Sequence, residues 1–253
     1  MPVDTEGEGE PAGVSLRVLG SFELRIDGIR RCLPTNVERV LALLAVRVRP
    51  QKRVTVASTL WMDTTEERAA ANLRTALWKS RQAVGCCVEV RGHLLALAPG
   101  VAVDLAGVID RTHRLLGDDH TLAPERYDPA ELDDDLLPDW DEDWILFERE
   151  RVRQLRIHAL ETLCRRLSEA GHGGRAVDAG LAAVAAEPLR ESAQRALIGA
   201  HLREHNVSEA RRQYHWYREL LWDSLGIEPS DALRTLVERT AGAGPRRSVA
   251  TVR

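Results

Sequence analysis

The chain has 253 residues, of which 44% are hydrophobic and 29% charged, with a formal net charge of −4. These proportions are ordinary for a globular protein, and the length allows two domains that each bury a core without disulfides or metals. The longest apolar runs, such as residues 40–46, are far below the roughly 20 residues of a membrane span. The acidic amino terminus has no signal-peptide core, so we expect a cytoplasmic protein that does not enter a membrane.

The charge is distributed unevenly. Residues 14–104 contain 14 Lys and Arg against 8 Asp and Glu, a balance of +6, which leaves 21 against 31, or −10, elsewhere. A basic segment on an acidic chain is typical of a nucleic-acid-binding module joined to a second domain. The excess is moderate, and a solvated basic surface is the plainer alternative.

The four cysteines, Cys32, Cys86, Cys87 and Cys164, form no C-x-x-C pair. The neighbours Cys86 and Cys87 cannot easily join in an unstrained disulfide. We interpret all four as reduced structural thiols, with redox sensing as the alternative. No zinc site or other metal site is predicted.

The chain begins with residues 1–13, which are rich in Glu, Gly and Pro and are predicted to form a disordered leader. From Val14 the stretch VSLRVLGSFELRIDG alternates apolar and polar residues, and Asp27-Gly28 supplies a hairpin turn. These features predict a small antiparallel sheet at the amino-terminal end of the first domain.

Three predicted helices follow this sheet. Thr35 with Glu38 and Thr64 with Glu67 have the capping-box pattern S/T-x-x-E, which predicts one helix from Thr35 and another over about residues 66–84. A short helix over residues 54–61 lies between them. The later stretch VEVRGHLLALAPGVAVD predicts a strand pair around Arg91-Gly92. Together these elements predict a response-regulator-type winged helix-turn-helix domain over residues 14–104.

The third helix is the predicted DNA-binding element. Leu73, Leu77 and Val84 recur at helical spacing and are expected to pack inward. The opposite face carries Arg74, Thr75, Trp78, Lys79, Arg81 and Gln82. In a major groove Arg pairs with guanine and Gln with adenine, so we expect Arg74, Trp78 and Arg81 to face the bases. Thr75 and Lys79 are expected nearer to phosphates, and a solvated basic face is the alternative.

Two further groups are predicted to reach DNA. Arg91 and His93, at the tip of the predicted wing, are expected to contact the minor groove or a flanking phosphate. Between the first two helices lie Arg47, Arg49, Lys52 and Arg53. These are candidates for phosphate contacts, which position a protein and set its salt dependence more than its sequence specificity.

Residues 105–147 are predicted to form a linker and packing segment. A helix is expected over residues 105–116, followed by an acidic, proline-punctuated stretch that contains DLLPDWDEDW. We interpret Trp140, Trp144 and Phe147 as aromatic anchors that fasten this connection to a helical domain. An activation patch that contacts RNA polymerase is the alternative. Packing is favoured because these residues lead directly into a helix that begins near Glu148.

The last part of the chain contains an internal repeat. At an offset of 34 residues, Leu155 matches Leu189, Ala159 matches Ala193, Leu163 matches Leu197 and Ala176 matches Ala210. This is the period of tetratricopeptide-type helix pairs, in which small residues allow two helices to approach closely. The pattern predicts a tetratricopeptide-like all-α domain over residues 148–240 and a flexible tail over residues 241–253. The protein is therefore expected to be mainly α-helical.

The helices of this domain are predicted at about residues 148–170, 174–186, 190–205, 208–225 and 230–240. Gly171, Asn206 and Gly226 are expected to be C-caps. Tyr214, Tyr217 and Leu221 share one face and are expected in the core, whereas Trp216 on the same helix is a candidate for an exposed contact.

No catalytic motif is recognised. The phosphate-binding pattern GxxxxGK[ST] and the zinc pattern H-E-x-x-H are absent. Neighbouring acids such as Asp133 to Asp135 are better explained as a solvated linker than as acid-base machinery. We expect neither enzymatic activity nor a cofactor.

Several stretches resemble the Streptomyces-type antibiotic regulatory protein family, whose members join a winged helix to a bacterial transcriptional activator domain. In the first half these are LRVLGSFEL, TLW followed by TEERAAANLRTALWKSRQAV, and LAPGVAVD. In the second half they are EPLRES and LLWDSLGIEPSDAL, in the family's order and spacing. The resemblance extends from about Leu16 to about Glu238.

The resemblance implies a transcription regulator that binds promoter direct repeats as two or more copies side by side. Such a regulator recruits RNA polymerase through the sigma factor or other subunits and activates genes of secondary metabolism, antibiotic biosynthesis among them. A protein-interaction adaptor that has lost DNA binding is the main alternative. A regulator gated by a small ligand in the helical repeats is another.

Ser80 departs from the family pattern, because both the family and the apolar stripe of the third helix favour leucine there. Its hydroxyl is expected to bond to a carbonyl one turn back. The third helix is therefore expected to pack slightly loosely.

Overall fold

The computed structural model describes residues 13–85, 87–117, 123–132 and 134–241. The chain divides into two compact units. The N-terminal unit comprises Met1–Arg111 and Asp134–Val152, and the repeat unit comprises Thr112–Asp133 and Arg153–Arg253. The segment 105–147, predicted as a linker, is thus shared between them. The predicted leader and tail, apart from Gly13 and Ala241, and also Cys86, lie outside the described residues.

The N-terminal unit contains a sheet, a helical trio and a wing. In chain order its elements are β1 (Val14–Arg17), β2 (Glu23–Ile26), β3 (Ile29–Arg31), α1 (Thr35–Arg47), β4 (Gln51–Lys52), α2 (Arg53–Leu60), α3 (Glu66–Val84), β5 (Val88–Arg91), β6 (Leu94–Leu97), β7 (Val101–Val103) and the start of α4 (Asp104–Leu116). This is a winged helix-turn-helix preceded by a sheet, which confirms the predicted fold class.

The amino-terminal sheet has the strand order β3-β2-β1-β7. Asp27 and Gly28 both have positive φ, at 50° and 74°, as a two-residue hairpin turn requires. The predicted hairpin is therefore confirmed. Strands β1, β2 and β3 pair antiparallel, as predicted, and β7 adds a fourth strand that pairs parallel with β1. A parallel partner must come from a distant part of the chain, which the local pattern around Val14 does not reveal.

The two predicted capping boxes are not formed. Pro34, without a side-chain cap, precedes α1, and its carbonyl accepts hydrogen bonds from the N–H groups of Val37 and Glu38. At α3 the capping hydroxyl belongs to Thr65, which accepts from the N–H of Arg68 at 3.4 Å. The hydroxyl of Thr64 instead donates to the carbonyl of Trp61 at 3.0 Å. Both helix starts were therefore predicted within one residue, but the N-cap positions were wrong: they are Pro34 instead of Thr35 and Thr65 instead of Thr64.

The core of the N-terminal unit is built around α1. Every residue of α1 from Val40 to Val46 is buried, and α2, α3 and strand β6 of the wing pack against this helix. Leu16 and Leu24, which pair across β1 and β2, lie on the inner face of the sheet, and Leu95 is fully buried in the wing. Burial of each such side chain stabilises the fold by about 1.5–3 kcal/mol.

The acidic aromatic segment packs within the N-terminal unit. The ring of Trp140 lies 5.8 Å from the ring of Phe22 and 6.4 Å from that of buried Trp144. Glu142 receives two hydrogen bonds of 2.7 Å from the guanidinium of Arg39. The predicted packing role holds for both tryptophans, but their contacts lie with the winged helix instead of a helical domain. Phe147 is 84% exposed, so its prediction as an anchor was wrong.

The repeat unit consists mainly of helices. They are the later part of α5 (Asp143–Glu169), α6 (Gly173–Ala186), α7 (Glu191–Arg203), α8 (Val207–Leu225) and α9 (Asp231–Ala241). Helix α5 begins at Asp143, five residues earlier than predicted. The alanines and leucines of the 34-residue offset are fully buried at Ala159, Ala193, Leu163 and Leu197. Their burial confirms the packing role predicted from the repeat.

The last helices form a separate core cluster. Tyr214, Tyr217 and Leu221 of α8 pack with Leu233 and Val237 of α9, which confirms the predicted face. Trp216 is 46% exposed, also as expected.

The expected C-caps at Gly171 and Gly226 both have positive φ. His205 instead of Asn206 takes the left-handed conformation, with φ of 59°, and Asn206 is the N-cap of α8. The predicted C-cap at Asn206 was therefore wrong by one position.

Candidate nucleic-acid interface

Helix α3 presents one face to the core and one to solvent. Its buried residues are Ala69, Leu73, Ala76, Ser80 and Val84, and Leu77 is half-buried. Glu66 and Glu67 lie in its first turn, where negative charges stabilise a helix by interacting with the positive end of its dipole. The packing is therefore made largely by small residues, which brings the helix close to α1 and α2.

All six residues predicted on the outer face of α3 are exposed: Arg74, Thr75, Trp78, Lys79, Arg81 and Gln82. Helical spacing aligns Arg74, Trp78 and Arg81 in one row, because they are separated by four and three residues. The other three form a second row beside it. The structure brings this predicted set together on one surface, while contact with DNA stays a prediction.

The cations of this surface have no competing partners among the described residues. Within the described part of the chain, no hydrogen bond or ion pair involves the side chains of Arg74, Lys79 or Arg81. Trp78 is 62% exposed between them. Unpaired guanidinium groups can form paired hydrogen bonds with guanine without first losing a salt bridge. The surface is thus electrostatically suited to DNA.

The wing carries its predicted residues at its tip. Arg91 ends β5 and His93 follows it in the turn, and both are exposed. The Nε of Arg91 donates to Oε1 of Glu89 at 2.8 Å, and this bond raises the pKa of Arg91. The carbonyl of His93 accepts from the N–H of Arg53 at 2.8 Å, which ties the wing to the start of α2. Glu89 thus competes with any other anion for the Arg91 guanidinium.

The basic residues between α1 and α2 divide into two groups. Lys52 and Arg49 are exposed, and Arg53, the first residue of α2, is half-buried. Arg47 forms an ion pair of 3.4 Å with Glu148. Arg47 is thus paired with a carboxylate of the same unit. Arg49, Lys52 and Arg53 remain candidates for phosphate contacts.

Ser80 does not behave as expected. It is 2% exposed, and its hydroxyl has no hydrogen-bond partner within the described residues. The predicted bond to a carbonyl one turn back is absent, although Thr75 forms such a bond to Ala71 at 3.1 Å. A cavity of about 270 Å³ lies beside Ser80, so the expectation of loose packing around α3 is consistent with the structure.

Two surface features were missed by sequence reasoning. Between α2 and α3 a mainly apolar groove of about 490 Å³ is lined by residues that include Trp61, Met62 and Arg74. On the amino-terminal sheet Arg25 pairs across strands with Arg30. The groove arises from the way two helices pack, so no periodic pattern in the sequence indicates it. Arg25 and Arg30 are visible in the sequence only as polar residues of two separate strands, and their pairing depends on the strand register.

The arginines of the sheet create a local positive potential. The pKa of Glu23 is lowered, mainly by a hydrogen bond from Arg25; desolvation acts in the opposite direction, and the charges of Arg25, Arg30 and Arg17 lower it further. Arg17 also forms an exposed ion pair of 3.4 Å with Asp134. This cluster adds to the basic character of the N-terminal unit.

Other kinds of site are not evident in the described residues. Cys87 and Cys164 are buried, Cys32 is exposed, and all three are free thiols. Burial raises the pKa of Cys164 to about 12, so this thiol is unreactive at neutral pH. Within the described ranges no cluster of His, Cys, Asp or Glu could hold a metal ion, and no helix is long and apolar enough to cross a membrane.

A winged helix with an exposed basic third helix, followed by paired repeat helices, defines a two-module protein. Residues 112–240 match the family model described as the bacterial transcriptional activator domain. The match covers half of the chain, so the protein belongs to this family. This membership agrees with the resemblance to the Streptomyces-type antibiotic regulatory protein family, whose members contain such a domain.

Two known proteins are similar to this chain. The regulatory protein AfsR of Streptomyces coelicolor is 29% identical over 252 residues, which covers 94% of this chain and 25% of the relative. The chain thus spans about a quarter of the length of that curated relative. Mycobacterium tuberculosis EmbR, solved in complex with a low-affinity phosphopeptide, has a TM-score of 0.72 at 21% identity. That likeness covers 92% of this chain and 66% of EmbR, and shows the shared fold.

Proposed function

We propose that this protein is a sequence-specific DNA-binding activator of transcription. Helix α3 enters the major groove of promoter DNA, and the wing contacts the flanking backbone. Copies of the protein bind direct repeats side by side and recruit RNA polymerase through the sigma factor, in the control of secondary metabolism. Activation is by contact, without catalysis or a cofactor.

The observation that carries the proposal is the unpaired basic face of α3. Arg74, Lys79 and Arg81 are exposed without partners in the described residues, and Trp78 extends beside them. A solvated face that served solubility alone is expected to mix both signs of charge. From Arg74 to Val84 this helix has no acidic residue.

The repeat unit supplies the surface for polymerase in this proposal. Helix α8 exposes Trp216 and Trp222, and Leu225 at its end is also exposed. Exposed aromatic side chains are enriched at protein interfaces. These residues are therefore the first candidates for contact with a subunit of polymerase.

Binding is tested with the full chain and a fluorescent duplex of the DNA upstream of its own gene. Anisotropy is measured over a series of salt concentrations, with an unrelated duplex as competitor. Each phosphate contact is expected to contribute about −0.9 to the slope of log K against log salt. A specific complex with a steep slope supports the proposal. Absence of any specific complex at low salt contradicts it and favours an adaptor that works through the repeats.

The second arm replaces Arg74 and Arg81 together by alanine. Loss of two base contacts is expected to cost about 2–6 kcal/mol, so specific affinity falls about thirtyfold or more. The matched control replaces Arg165 and Arg211, which are exposed on the repeat unit without partners in its described part. The control removes the same charge elsewhere and is expected to bind almost normally. Equal losses in both variants would indicate that only total charge matters.

A further inference from the structure

The outer row of α3 contains one large apolar side chain. Trp78 is 62% exposed, and it lies between Arg74 and Arg81, which are four residues before it and three residues after it. A single exposed apolar residue is ordinary on a protein surface. Trp78 is distinguished by its position, because it occupies the centre of the row that faces the bases in the proposed function.

The ring of Trp78 has no partner among the described residues. In that part of the chain no hydrogen bond, aromatic contact or cation-π contact involves it. Its neighbours one turn away, Arg74, Thr75, Arg81 and Gln82, are polar and exposed. The indole therefore presents an apolar surface and one N–H donor to whatever covers α3.

Thymine is the base that offers both features that an indole can use. In the major groove its C5-methyl group is the apolar group of the base edges, and its O4 atom is an acceptor on the same edge. Guanine offers two acceptors there, adenine an acceptor and a donor, and cytosine a donor, all without a methyl group. The chemistry of Trp78 thus favours thymine over the other three bases.

The spacing along α3 sets the distances between the contacts. With a rise of about 1.5 Å per residue, Trp78 lies about 6 Å from Arg74 and about 4.5 Å from Arg81 along the helix axis. Base pairs are stacked about 3.4 Å apart. Where the helix follows the groove, the row therefore spans about three base-pair steps, and Trp78 lies within that span.

We propose that Trp78 recognises the C5-methyl group of a thymine in the major groove, between two guanines that Arg74 and Arg81 bind about three base pairs apart. The ring packs against the methyl group, and Nε1–H donates to the O4 atom of the same thymine. This specificity rests on the proposed function, because it requires α3 to enter the groove.

Uracil substitution tests the thymine contact, because uracil differs from thymine only by the absence of the methyl group. The full chain is bound to its promoter duplex, and each thymine of the region protected from nuclease is replaced in turn by uracil. Affinity is measured by anisotropy at constant salt. In the wild type, one position in each repeat is expected to weaken binding about fourfold, the effect of burying one methyl-sized group. Specific binding that no uracil weakens would overturn the proposal.

Variants at position 78 assign the methyl contact to this side chain. Trp78→Ala removes the ring, so the uracil and thymine duplexes are expected to bind equally. Trp78→Phe keeps an apolar ring and is expected to retain most of the fourfold loss. The matched control is Trp216→Ala on α8, where the tryptophan is 46% exposed, and it is expected to retain the whole loss.

The same variants decide whether the ring contacts a base or the backbone. Trp78 is exposed, so its replacement is expected to leave the fold intact, which far-UV circular dichroism checks. A loss with uracil that persists in Trp78→Ala would mean that the ring packs elsewhere, against the sugar-phosphate backbone for example. That result would overturn the proposal.

The flanking guanines are tested with 7-deazaguanine, which lacks the N7 acceptor. Two guanines about three base pairs apart, one on each side of the sensitive thymine, are expected to weaken binding when they are replaced. The effect of one is expected to disappear in Arg74→Ala, and the effect of the other in Arg81→Ala. Sensitive guanines on only one side of the thymine would overturn the proposed arrangement.

The outcome separates this inference from the proposed function. Absence of any specific complex between the wild type and unmodified promoter DNA would refute the proposed function, and the thymine contact with it. A specific, salt-sensitive complex that tolerates uracil at every position would refute the thymine contact alone.

Discussion

Asp104, the first residue of α4, accepts hydrogen bonds from backbone N–H groups that follow β1 and from the next residue of its own helix. Its replacement tests how strongly these bonds hold the end of β1 to α4. Its carboxylate accepts from the N–H groups of Val18 and Leu19 at 3.0 Å and of Leu105 at 2.7 Å. Val18, Leu19 and Leu105 are all buried. Asp104→Ala therefore leaves donors in the interior without an acceptor.

The expected cost follows from the number of orphaned donors. Each buried N–H without a partner costs about 1–3 kcal/mol. Leu105 lies in the first turn of α4, where N–H groups lack a partner inside the helix in any case, so the estimate rests on Val18 and Leu19. Asp104→Ala is expected to lower the free energy of unfolding by about 4 kcal/mol. Asp104→Asn keeps one acceptor oxygen and is expected to cost about 2 kcal/mol.

The assay is urea unfolding followed by tryptophan fluorescence in a background with Trp216→Phe and Trp222→Phe. The remaining tryptophans all lie in the N-terminal unit, so the signal reports on that unit. Asp139→Ala, at an exposed position, is the control and is expected to change stability little. A loss below about 1 kcal/mol for Asp104→Ala would refute the reasoning, because the N–H groups would then have another acceptor.

The pH dependence provides an independent check on the same residue. Burial raises the pKa of Asp104 above its ordinary value, although the backbone donors and Arg17 act in the opposite direction. The folded protein therefore binds this proton more tightly than the unfolded chain. The stability advantage of the wild type over Asp104→Asn is expected to fall as pH rises from about 3.9 through the raised pKa. An advantage that grows with pH in this range would show that the donors outweigh burial.

Further predictions concern packing, the wing and α3. Gly180→Ala places a Cβ 3.1 Å from backbone and side-chain atoms of the neighbouring helix, so urea unfolding is expected to show a loss of about 1–2 kcal/mol. Gly174→Ala, which meets no atom within 4 Å, is expected to gain about 0.5 kcal/mol. Glu89→Gln frees Arg91, so anisotropy is expected to show severalfold tighter DNA binding at low salt and a smaller gain at high salt. Ser80→Ala removes a buried hydroxyl that has no partner among the described residues, so differential scanning calorimetry is expected to show a stability gain of about 1 kcal/mol.

Much of the architecture could be predicted from sequence because each element carries its own pattern. The alternating residues after Val14 and the Asp27-Gly28 turn indicated the hairpin, and the 34-residue offset indicated the helix pairs. The exposed face of α3 followed from helical spacing alone. In each case the burial of a residue depends mainly on its place in a single strand or helix, so a local repeat reveals it.

The sequence could not predict the partners that meet across the fold. Trp140 could have anchored either unit, and its contact with Phe22 is decided by the path of the chain. Asp104 reads as a helix start, yet two of its three donor residues lie 85 and 86 residues away. Contacts of this kind depend on how several elements pack at once, which periodicity within one element does not encode.

The surroundings of α3 were likewise determined partly by the sequence and partly by the tertiary structure. By itself the sequence determined which residues share the outer face, and that Ser80 interrupts an apolar stripe. Only the tertiary structure decided that the hydroxyl of Ser80 is buried without a partner in the described part of the chain, and that a cavity lies between α3 and β5. The reason is physical, because a cavity is the space that separate elements fail to fill, and its shape is set by their distance and angle.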